Sequence, residues 1–169
     1  MPRMRRSRNR SAGVTIMEVL FSVLMLAVGV LGVSTLQAIS LQQNRSALFR
    51  ADALQLGNDI LDRIRANPLS SYAPVAMGAA PSASKNCINE VCSRTEMAAF
   101  DIAQWKCSLH SDDADGNPYT ICASYGIEGS IPQGDGSITL TNNVYEVIVQ
   151  WVDDKQGGVA DITLRTQVN

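Results

Sequence analysis

A chain of 169 residues has room for one modest domain and one added element. Its formal net charge of −2 hides a split: Arg3, Arg5, Arg6, Arg8 and Arg10 all precede Glu18, the first acid, which leaves 9 basic against 16 acidic residues beyond Gly13, a balance of about −7. An acidic body of this kind excludes a general nucleic-acid-binding surface, because phosphate is neutralised by Lys and Arg.

The apolar residues are 46% of the chain and are concentrated between Val14 and Ile39. The basic opening MPRMRRSRNRSAG ends in small residues. After it, Val14 to Leu36 is broken only by Thr15, Glu18, Ser22, Ser34 and Thr35. As a helix that segment is roughly 35 Å long, enough to cross a hydrocarbon layer of about 30 Å. The arginines before it should stay cytoplasmic, with everything after it outside the inner membrane. A cleaved secretory signal with Ala38-x-Ser40 as its site is a poor fit, because the apolar run is too long. An uncleaved single-span anchor fits better but leaves Glu18 unexplained. A carboxylate inside an apolar span costs a few kcal/mol and points to function, unless it snorkels to the nearby interface.

Gly13-Val14-Thr15-Ile16-Met17-Glu18-Val19-Leu20, behind a basic leader and before a long apolar run, resembles the class III signal of type IV prepilins. Val14 stands where phenylalanine is usual, and Ile16-Met17 replaces Leu-Ile. The resemblance implies prepilin-peptidase cleavage between Gly13 and Val14 and N-methylation of Val14. Glu18 would then neutralise the new N-terminal ammonium in a stack of parallel helices. A buried charge needs such a partner.

Gln42 to Ala66 reads as the same helix continuing. Leu48, Ala51, Leu54, Leu61 and Ile64 mark its apolar stripe, Asp59 and Arg63 form an acid-first pair four apart, and Asn67-Pro68 is the stop. Ser70 to Asn86 reads as a loop. A second helix is expected over about 95–109, with Met97, Ala98, Ile102, Trp105 and Leu109 near one face. Asp112 to Asn117 suggests a calcium loop. With Gly116 at position six, however, Cys122 falls where a bidentate acid is required, so a solvated acidic turn is the expectation. Antiparallel strands are expected between about 119 and 168: Tyr119–Ile127, Ser137–Thr141, Val144–Val152 and Ala160–Val168, the last two joined by a hairpin at Asp153–Gly158. The chain therefore divides into a leader (1–13), a transmembrane and assembly half-helix (14–39), an amphipathic half-helix (40–67) and a periplasmic globular domain (68–169). The fold class is α+β, with a long N-terminal helix packed on an antiparallel sheet.

Cys87, Cys92, Cys107 and Cys122 all lie beyond the apolar segment, which suits disulfides in an oxidising compartment. Four cysteines allow three pairings; Cys87–Cys92 with Cys107–Cys122 is preferred, and the sequence leaves the other two open. Ligand spacing does not suit zinc, and no metal or cofactor is expected. His110 belongs to no recognisable catalytic motif. With no nucleophile–base pair and no phosphate loop, the sequence reads as non-enzymatic.

Later blocks resemble PilV-type minor pilins in the same order. They are Ile60 to Pro68, Asp101-Ile102-Ala103-Gln104-Trp105, Gln133 to Ile138 and Tyr145 to Trp151. This resemblance implies a low-abundance subunit that starts or caps a type IV pilus and serves twitching motility, attachment or DNA uptake. Its partners would be prepilin peptidase, other minor pilins, the major pilin and a tip adhesin. Two alternatives stay open: a pseudopilin of type II secretion, and a bitopic periplasmic sensor or binding domain.

Overall fold

The computed structural model describes residues 15–113, 115–153 and 158–168. In chain order the elements are α1 (Ile16–Ala66), α2 (Arg94–Leu109), α3 (Thr120–Tyr125), β1 (Asp135–Thr141), β2 (Val144–Val152) and β3 (Val159–Gln167). Contacts divide the chain after Gln43 into two units.

In the first unit, Thr15 starts α1 by accepting the Glu18 N–H on both its carbonyl and its Oγ1. Every described side chain up to Gln43 is exposed, on all sides of the helix. The hydroxyls inside the apolar run turn inward on the backbone: Ser22 donates to Glu18 O, Ser34 to Val30 O and Thr35 to Leu31 O, at 2.7–3.0 Å. They therefore present no unpaired polar group to an apolar solvent. By length and composition this is a helix able to cross a membrane.

In the second unit, the remainder of α1 buries Ala53, Gly57, Ile60, Leu61 and Ile64. They meet Tyr145, Val147, Val149 and Trp151, the alternate residues of β2, together with Ile138 and Ile162. The sheet is antiparallel in the order β1-β2-β3. Asn142 and Asn143 supply the positive φ angles (50° and 62°) that a two-residue hairpin requires between β1 and β2. The α+β reading holds: a long N-terminal helix lies on a three-stranded antiparallel sheet.

Ser93 caps α2 by a reciprocal box. Its Oγ accepts from Glu96 N–H, and Glu96 Oε2 accepts from Ser93 N–H. Sequence periodicity assigns α2 one apolar face, but Ala98, Phe100, Ala103, Trp105, Cys107 and Leu109 are all buried. The helix is covered on one side by the core and on another by α3, where Tyr125 meets Phe100 edge-on at 5.1 Å.

One expected strand is a helix. Tyr119–Ile127 is rich in β-branched and aromatic residues, yet Thr120–Tyr125 is α3. Cys122 is joined to Cys107 of α2 and Gly126 closes the turn in the left-handed region (φ 66°), so tertiary packing overrides local preference. The expected strands at Ser137–Thr141 and Ala160–Val168 instead run over Asp135–Thr141 and Val159–Gln167.

Candidate assembly interface

Gly13 and Val14, the expected cleavage and methylation residues, lie outside the described residues. Glu18 sits in the first turn of α1, where the helix dipole favours a negative charge. Its side chain is exposed, and among the described residues its carboxylate has no hydrogen-bond or ion-pair partner. Around it Ile16, Met17, Val19, Leu20 and Phe21 are all exposed apolar residues. A lone carboxylate at the end of an apolar cylinder is chemically able to receive a cation from outside the chain and is costly if left bare in an apolar medium.

The four cysteines form two bonds, Cys87–Cys92 and Cys107–Cys122, and no free cysteine remains. The first closes a small ring whose Ile88 and Val91 point into solvent.

His110 is half-buried and lines a cavity of about 640 Å³ with Lys106, Asp112, Asp113, Tyr119 and Asp135. The charges of Lys106, Asp113 and Asp135 are spent internally. Asp135 accepts from Lys106 Nζ and from the amides of Gly78 and Gly136, and Lys106 Nζ also donates to Gly136 O at 2.9 Å. Asp113 accepts the amides of Asp115 and Asn117, and such backbone donors hold its carboxyl below the ordinary range. Among the described residues no three acidic, histidine or cysteine side chains gather as metal ligands. Cys122, the position a calcium loop needs as an acid, is bonded to Cys107.

A polar cluster at the end of α1 was not read from the sequence beyond its Asp59–Arg63 pair. Arg63 reaches Asp59 at 2.9 Å, Asp101 at 3.0 Å and Gln104 at 2.9 Å. Tyr72 donates its hydroxyl to Asp101 at 2.7 Å. Burial first, and the Asp101 carboxylate second, push the Tyr72 hydroxyl well above its ordinary pKa. The available signal was Asp101 itself, an acid four residues from Trp105 on a helix whose neighbouring positions are buried.

The family model for Tt1218-like proteins, described as type IV pilin Tt1218, matches residues 35–103. That match supports a type IV pilin. It covers the end of the apolar run, the rest of α1, the connection after it and most of α2, and omits the sheet. No curated protein and no solved structure matches the chain. Type IV pilins are structural subunits that associate with other pilins, and the apolar N-terminal half of α1 is long and apolar enough to cross a membrane.

Proposed function

We propose that this pilin-like chain is a PilV-type minor pilin precursor that takes part in starting or capping a type IV pilus. Prepilin peptidase cuts it between Gly13 and Val14 and the new terminus is methylated. The leader stays cytoplasmic and the body after α1's apolar half is periplasmic until extraction into the fibre. The observation that carries the reading is the pilin-family match over 35–103, which begins on α1 directly after a stretch that is apolar and exposed throughout. In assembly that half-helix would exchange lipid for the matching helices of neighbouring subunits, and Glu18 would receive the ammonium group of Val14, its own or a neighbour's.

N-terminal mass analysis of the protein from membranes with and without prepilin peptidase tests the reading. The expected result is a chain beginning at N-methyl-Val14 only when the peptidase is present. An intact Met1 in both strains would remove the pilin function and leave an anchored domain.

A further inference from the structure

β3 is nine residues long and, among the described residues, pairs with one strand only, β2. At its ends Asp153 N–H donates to Gly158 O, and Val168 N–H to Asn143 O. Together with the continuous β2–β3 register, these bonds turn the backbone groups of 158, 160, 162, 164, 166 and 168 toward β2. The N–H and C=O groups of Val159, Asp161, Thr163, Arg165 and Gln167 therefore face outward from the sheet. An edge of this length is ordinarily blunted by proline, by charged side chains, lysine above all, by a bulge or by a covering segment, and of these β3 has the charges of Asp161 and Arg165. The strand contains no proline or lysine, and its register contains no bulge. The opposite edge is treated differently: Ile138 of β1 exchanges both backbone bonds with Val75, at 2.9 and 3.0 Å.

Side chains add a code to this edge. Ile162 is buried and Leu164 half-buried on the core side. On the outer side Arg165 pairs with Glu146 at 2.5 Å and remains 70% exposed, whereas Asp161 faces uncharged Gln150. We propose that β3 is a docking edge on which an extended segment of a partner protein adds as an antiparallel fourth strand, with a cation opposite Asp161, an acid opposite Arg165 and apolar residues opposite Ile162 and Leu164. Cross-strand pairs of these kinds stabilise an added strand, and main-chain bonds supply the rest. A second folded copy cannot present a suitable strand here within a fibre. Its β1 edge is already closed at Ile138. Antiparallel pairing with its β3 would turn the α1 segment 44–66 end for end, which parallel subunits of a fibre do not allow; this last exclusion rests on the pilin reading.

The sequence of β3 is itself a matching probe. Paired antiparallel about Thr163, it puts Arg165 opposite Asp161 and Leu164 opposite Ile162. A labelled peptide of residues 159–167 is therefore titrated onto the full chain in detergent micelles, with anisotropy and amide exchange as readouts. Saturable binding should slow exchange at the outward amides of Asp161, Thr163 and Arg165. Asp161→Arg should weaken binding about tenfold, and a peptide carrying Arg165→Asp should restore it. Thr163→Pro removes only an outward N–H, so binding should vanish while the β2–β3 amides stay protected. Unchanged outward amides, or binding indifferent to the charge exchanges, would overturn the proposal. Concentration-dependent dimers of the full chain that disappear in Thr163→Pro would also overturn it, by giving the edge to a second copy. The terminus measurement above is independent of all these outcomes, so the two readings fail separately.

Discussion

At the scale of single residues, two glycines mark where the body is tightest. A Cβ on Gly136 would stand 2.5 Å from the indole of Trp105, which is fixed by its own N–H bond to Leu56 O at 3.1 Å. A Cβ on Gly57 would clash only with the Cδ1 of Leu164, at 2.5 Å, the movable end of a half-buried side chain, and would lie in ordinary contact with Val149 at 3.7 Å. Gly136→Ala should therefore cost about 1–3 kcal/mol. Gly57→Ala should cost distinctly less, because its clash is relieved by one rotamer and offset by better helix propensity. Thermal denaturation of the two variants compares them directly, and equal losses would show that the indole yields as easily as the leucine. Tyr72→Phe removes a buried hydroxyl from the Asp101 carboxylate and should cost about 2 kcal/mol, read in the same experiment. For Glu18→Ala the expected result is leader cleavage retained with pilus incorporation reduced. Normal piliation would favour a carboxylate that merely snorkels. Of these residues, Glu18 was legible in the sequence because a charge in an apolar run stands out. Gly136 was not, since its requirement comes from an indole about thirty positions away.

Among the elements, α2 depends on its first turn. Lys85 bonds Glu96 at 2.8 Å, and that contact first, with the Ser93 amide second, lowers the Glu96 carboxyl to about 2 from 4.5. The folded value lies below the unfolded one. This part of the stability is therefore complete above about pH 4.5 and is lost as pH falls toward 2. Lys85 is shifted upward by the same carboxylate, so its share is present below its ordinary value and disappears at higher pH. Carboxyl carbon titration should find the Glu96 midpoint near 2, moving up toward 4.5 in Lys85→Met; a midpoint at 4.5 in the unaltered chain would mean the pair does not form. Elements with one buried face were legible. Tyr145, Val147, Val149 and Trp151 alternate in the sequence as they do in β2. The helix α3 was hidden because Tyr119 to Cys122 has strand-like composition. What bends it is a bond to α2, although Pro118 before it and Gly126 after it were usable helix boundaries.

For the whole molecule, the long helix and the sheet are the two ends of the sequence, and residues 67–134 are inserted between them. Both disulfides lie inside this insertion, with separations of 5 and 15 residues. Replacing Cys107 and Cys122 together by alanine should cost about 3 kcal/mol, measured by chemical denaturation. Non-reducing peptide mapping should find no link from Cys87 or Cys92 to Cys107 or Cys122. Neither bond joins α1 to a strand. Tension entering the body along α1 would therefore reach the sheet through side-chain contacts and hydrogen bonds: Ile60 and Ile64 against β2, Gly57 against Leu164, Arg65 Nε donating to Thr166 Oγ1 at 3.1 Å and, by way of α2, the Trp105 indole holding the Leu56 carbonyl. A strong pull would part these contacts, the Arg65–Thr166 and Ser46–Asp153 hydrogen bonds included, with both sulfur bridges intact, and the two faces, still on one chain, could close again without any redox chemistry.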